Sequence, residues 1–190
     1  IRRPPRSTRK ESSAASDVYK RQLLSQIDAP DQSKLAIINN IANACGHLGM
    51  VGGQIKDIHS NDIKDVEALD LMHSQKTGRL IQTSLETTAI LCGLSANEVS
   101  MLSEYGSKIG LAFQIQDDII DIESPSYISG KDQGSDIGQD KITYPAIAGL
   151  EESKIRAKEL ASEAKEILQP LSKNADNLHK LAEYVVSRET

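Results

Sequence analysis

The 190-residue chain is 38% hydrophobic and 26% charged, a balance that suits one soluble domain and argues against disorder throughout. It has no Trp and a single Phe, so its core must come from Leu, Ile, Val and Ala, and no run of 18 apolar residues offers a membrane-spanning helix. Residues 1–22 carry seven Lys or Arg against two acids, leaving the remainder at a net −10, a charge that repels nucleic acid.

Those first 22 residues are rich in Arg and Ser, contain the pair Pro4–Pro5 and hold almost nothing apolar, so they cannot bury enough surface to offset the entropy of ordering. The string resembles the translated read-through of a sequencing adapter. Residues 1–22 are therefore expected to be a disordered, non-native leader, and residues 23–190 a helical domain that begins after its native start.

From Ser33 a stripe of Leu35, Ile38, Ile41, Ala42 and Cys45 predicts a first helix, punctuated by Gly46 and Gly49. Gly52, Gly53, Gln54 and Asp57 follow as a short motif, and 59–64 reads as a loop. A pattern without Pro from Asp65 to Leu91 predicts one long second helix, stopped by Gly93. Ser95 with Glu98 has the form of a capping box and predicts a third helix running to about Ile122. Residues 123–143 form a long irregular segment, of the kind that more often serves function than mere connection. Helical periodicity resumes near Pro145, runs to Leu168, halts at Pro170 and returns from Ala175 to Arg188. No strand-like alternation appears, so the expected class is an all-α bundle. Cys45 and Cys92 have no metal-binding spacing and read as small core side chains in a reducing compartment. His47, His59, His73 and His179 read as surface or packing residues, and Asp57 receives no role.

The third helix ends Phe113-Gln114-Ile115-Gln116-Asp117-Asp118-Ile119-Ile120-Asp121. At about 100° per residue, positions 114, 117, 118 and 121 fall within roughly 100° of arc. Ile115, Ile119 and Ile122 then point to a core. Three carboxylates on one face repel each other and sit at the negative end of the helix, so something must offset them. A solvated acidic helix end has the same appearance. The alternative is a hard cation such as Mg²⁺, which takes oxygen ligands and is usually completed by substrate phosphates. Lys76-Thr77-Gly78 inside the second helix supplies a cation and a hydroxyl beside a glycine that signals a kink or close approach. Gly130-Lys131 and Lys141-Ile142-Thr143-Tyr144-Pro145 add lysines downstream. Metal-holding acids and phosphate-neutralising lysines make one consistent site.

In their order and spacing, GGQIKD, HSQKTG, FQIQDDIID, the Gly-Lys pair and KITYPA resemble the trans-isoprenyl diphosphate synthases, closest to the bacterial farnesyl and geranyl diphosphate type, over about residues 23–190. The resemblance implies an all-α bundle with two aspartate-rich motifs facing across a cavity. Asp117, Asp118 and Asp121 match the second motif and would bind Mg²⁺. Lys76, Lys131 and Lys141 match positions contacting an allylic diphosphate, and Thr77 and Gln114 match positions beside the reacting carbons. The implied substrates are isopentenyl diphosphate and dimethylallyl or geranyl diphosphate, in a cytoplasmic and commonly homodimeric enzyme. The motif DDIID occurs once, and nothing matches the first aspartate-rich motif or the basic residues that hold isopentenyl diphosphate. The chain alone is accordingly expected to be inactive. The competing readings are a non-catalytic synthase-like subunit, or another terpene synthase, which the HSQKTG and KITYP motifs argue against.

Overall fold

The computed structural model describes residues 22–24, 26–123, 142–171 and 175–189, and among them every regular element is helical. The expected leader up to residue 21, together with Lys131 and Lys141, lies outside the described residues. The helices are α1 (Asp31–Cys45), α2 (Met50–Ile58), α3 (Val66–His73), α4 (Arg79–Leu91), α5 (Ala96–Glu123), α6 (Tyr144–Ala148), α7 (Leu150–Ile167) and α8 (Asp176–Ser187).

Local chemistry explains several of their limits. Asp65 caps α3 by accepting from the Ala68 amide at 2.8 Å. The capping box forms as expected: the Ser95 amide donates to Glu98 at 2.9 Å, and the Glu98 amide donates back to the Ser95 hydroxyl at 3.4 Å. Gly93, at φ 69°, takes the left-handed turn that ends α4. A 3₁₀ turn at Ser60–Asp62 occupies part of the expected loop.

The 28-residue helix α5 is the axis of the molecule, packed between α4 and α7. Its Tyr105, Ile109, Ala112, Ile115 and Ile119 are buried, and α7 meets them with Ala157, Leu160, Ala161 and Ala164, a stripe at helical spacing. Burying each of the larger side chains contributes roughly 1.5–3 kcal/mol. The Tyr105 hydroxyl donates to the Leu178 carbonyl at 2.8 Å, which satisfies a buried polar group and ties α5 to α8. Just before α4 the approach is closer still: a Cβ on Gly110 would lie 2.5 Å from the Gly78 Cα, so only glycine fits.

Four sequence expectations need correction. The second helix is not continuous, because a π turn at Ser74–Gly78 joins α3 to α4. The segment after Pro145 breaks at Gly149, whose φ of 88° separates α6 from α7. On α1 the buried side chains are Ile37 and Ala44 while Leu35 is 69% exposed, so the stripe is rotated from the expected one. Ile122 and Cys92 are exposed rather than in the core, since both lie at helix ends beyond the packed face.

Candidate active site

The aspartate motif occupies the last two turns of α5 and meets the π turn through a chain of polar contacts. The Thr77 hydroxyl donates to Gln114 Oε1 at 2.9 Å, and Gln114 Nε2 donates to Asp118 Oδ1 at 3.4 Å. The other oxygen of Asp118 accepts from the Tyr144 backbone amide at 2.8 Å. Gln114 and Asp118 are one helical turn apart, which allows the side chains to meet. Asp118 is only 8% exposed, and burial pushes its pKa up to about 6; its bonds from Tyr144 and Gln114 oppose that rise, and Asp121 and Asp117 add to it.

His73, the last residue of α3, lies beneath Asp118 with Nε2 3.7 Å from its Oδ2 and its ring stacked on Tyr144. Burial, aided by the nearby Lys76 charge and opposed by Asp57, lowers its pKa to about 4, so the imidazole is neutral near pH 7. Among the described residues its Nδ1, which is buried, has no hydrogen-bond partner. The Tyr144 hydroxyl lies in the neighbourhood of Asp70 and Arg156, while its backbone amide donates to Asp118. The KITYPA motif is thereby anchored to the aspartate helix through its tyrosine.

Lys76 is oriented from α2. Its Nζ donates to Asp57 Oδ2 at 2.8 Å, and the neighbouring Lys56 donates to Gln75 Oε1 at 2.7 Å. A Cβ on Gly53 would lie 2.3 Å from the Lys76 backbone nitrogen, so the glycine lets α2 touch the π turn while Asp57, four residues on, reaches the ammonium. An ammonium has three donors, and the Asp57 contact uses one of them.

Asp117 and Asp121 lie farther out. Asp117 pairs with Arg188 from the end of α8, and Asp121 is exposed. Among the described residues no three His, Cys, Asp or Glu side chains converge on a point that could hold a metal ion. Among the described residues the face therefore has no protein-only cage. Its donors are all hard carboxylate oxygens, which suit Mg²⁺ held by one or two carboxylates and completed by water and phosphate. The structure thus joins Thr77, Gln114 and Asp118 directly, with Lys76 next to Thr77 on the π turn and Asp117 and Asp121 on the same helix as Asp118. Lys131 and Lys141, with Asp136 and Asp140 between them, fall outside the described residues.

Sequence reasoning missed three contributors. The role of Asp57 was available from its spacing, one turn after Gly53. His73 packs, as expected of a scattered histidine, but it packs against the aspartate motif. Arg188 had no local signal, being 71 residues from Asp117.

A family model described as polyprenyl synthetase matches residues 13–185. The farnesyl diphosphate synthase of Escherichia coli is 35% identical over 174 residues, covering 87% of this chain and 58% of that relative. The crystal structure of an FPP/GFPP synthase from Zymomonas mobilis superposes with a TM-score of 0.78 at 31% identity, covering 92% of this chain and 59% of that one. A geranyltransferase from Helicobacter pylori, solved with magnesium and isoprenyl diphosphate, gives 0.74 at 28% identity over 91% of this chain and 57% of that one. The chain spans about half to three-fifths of the length of these relatives.

Proposed function

The chain belongs to the polyprenyl synthetase family, and we propose that it carries the allylic-diphosphate side of the active site of a farnesyl-type trans-prenyl diphosphate synthase. The reaction is condensation of isopentenyl diphosphate with dimethylallyl or geranyl diphosphate, releasing diphosphate. The observation that supports this reading is the pair of contacts Lys76–Asp57 and Thr77–Gln114–Asp118, which orient an ammonium on the π turn and tie its neighbouring hydroxyl, through an amide, to the aspartate motif.

Asp117 and Asp121, with Asp118 behind them, would hold Mg²⁺. When bound, the cation neutralises charge that builds on the diphosphate as its bond to the allylic carbon breaks. Lys76, Lys131 and Lys141 would contact the same diphosphate as point charges. As the C1–O bond breaks, electrons leave with the diphosphate and an allylic cation remains. Gln114, clamped between Thr77 and Asp118, and the Thr77 oxygen place fixed dipoles beside that cation, so little reorganisation is needed as charge appears. The double bond of isopentenyl diphosphate then attacks C1, and the proton lost from the adduct goes to the departed diphosphate.

The proposal extends to a homodimer in the cytoplasm. The free thiols of Cys45 and Cys92 suit a reducing compartment, and exposed Leu35, Val51, Ile55 and Ile58 on α1 and α2 are surface that further protein would cover.

Radiolabelled isopentenyl diphosphate, geranyl diphosphate and Mg²⁺ provide the test. The 190-residue chain alone is expected to make no detectable product, because orienting isopentenyl diphosphate supplies about 7–11 kcal/mol of the barrier and needs residues this sequence lacks. The same chain joined to the family's N-terminal portion is expected to make farnesyl diphosphate, and Asp117→Ala to lower its turnover by orders of magnitude. An inert completed chain contradicts the reading and favours a non-catalytic subunit.

A further inference from the structure

Three carboxylates at the negative end of a mostly apolar helix need compensation. For Asp118 the compensation is a raised proton affinity and two hydrogen bonds. For Asp117 it comes from the far end of the chain. The Arg188 guanidinium donates through Nη2 to Asp117 Oδ1 and, at 3.3 Å, to the Phe113 carbonyl. The same guanidinium lies over the Phe113 ring, 4.2 Å from its centroid, and Gln116 Nε2 donates to the Arg188 carbonyl at 3.1 Å. Among the described residues Arg188 Nε is buried without a hydrogen-bond partner, and the guanidinium's ion pair is with Asp117.

We propose that Arg188 is an internal counter-cation for the aspartate motif, and that a divalent cation reaching Asp117 competes with it. The inference rests on the reading of Asp117 as a cation ligand. Asp117 is 38% exposed on its side chain and Arg188 12%, so a cation can approach from solvent while the guanidinium is seated on α5. Two positive charges sharing one carboxylate repel, and by linkage each lowers the affinity of the site for the other. The seat over Phe113 keeps Arg188 close when the ion pair opens, so that it returns when the cation leaves. The last helix thereby reports whether the aspartates are loaded.

The test is Mn²⁺ affinity of the 190-residue chain, read from the electron paramagnetic resonance of free Mn²⁺ at low ionic strength. Arg188→Met, which keeps an apolar stem over Phe113 and removes the charge, is expected to bind about fivefold tighter or more. Arg188→Lys keeps the charge and is expected to stay within about twofold of the parent. Arg188→Gln serves as a second neutral variant should methionine disturb the helix end. Adding Asp117→Asn to the parent and to Arg188→Met is expected to erase the difference between them. Equal or weaker binding by both neutral variants overturns the inference while leaving the metal reading intact. Lysine behaving like methionine overturns it too, by pointing to a packing role. Absence of Mn²⁺ binding in every protein overturns both the inference and the metal reading.

Discussion

Burial acts in opposite directions on the two ionisable side chains that meet under the aspartate helix. Asp118 rises from 3.8 to about 6, so the folded chain keeps a proton that the unfolded chain releases between those values, and raising the pH across that window lowers stability. His73 falls from 6.5 to about 4, so the folded chain refuses a proton that the unfolded chain accepts, and lowering the pH across that window lowers stability. Each effect is on the order of 3 kcal/mol and they oppose each other between about pH 4 and 6. Urea denaturation without metal separates them. Asp118→Asn is expected to lose stability as pH falls from 6.5 to 4, and His73→Gln to gain it from 6 to 4. Parallel pH profiles for the two variants would show that the two groups are not perturbed in this way. At the same scale, Asp57→Asn removes the carboxylate that aims Lys76, and its expected effect is weaker binding of inorganic diphosphate by about tenfold, with Asp57→Glu recovering part of it.

The π turn at Ser74–Gly78 is the element on which the site depends, because it sets Lys76 and Thr77 against α2 and α5 together. Its geometry needs Gly110. Replacing a helical glycine by alanine usually stabilises by about 1 kcal/mol, but here the new Cβ would meet backbone at 2.5 Å, which no rotamer change relieves. Gly110→Ala is expected to be destabilising by about 1–2 kcal/mol net, measured by urea midpoint; a stabilised variant would contradict the close approach of α5 to the π turn. Elements with local signals were legible in the sequence: the Ser95–Glu98 box, the stop at Gly93 and the acidic face of α5. The rest depended on partners distant in the chain. Periodicity cannot distinguish a π turn from α-helix when one residue is inserted, so Asp65–Leu91 read as one helix. The phase of α1 depends on what it packs against, and Leu35 in the sequence looks no different from Ile37. The motif order singled out Lys76, Thr77, Gln114 and the aspartates as candidates, but Arg188 and the buried side of Asp118 required the fold.

At the scale of the whole molecule, the helices match prenyl synthase structures over 91–92% of this chain and 57–59% of theirs. On the proposed reading, the groups for an allylic diphosphate and a cation lie on α5, the π turn and α2, and DDIID occurs once in this sequence. Binding should therefore be separable from condensation. The most direct test is equilibrium binding of geranyl diphosphate to the 190-residue chain with and without Mg²⁺, alongside Lys76→Ala and Asp117→Asn. The account predicts binding that requires Mg²⁺, is abolished by Asp117→Asn and is weakened about tenfold or more by Lys76→Ala. Binding that is indifferent to Mg²⁺ and to both substitutions would contradict it.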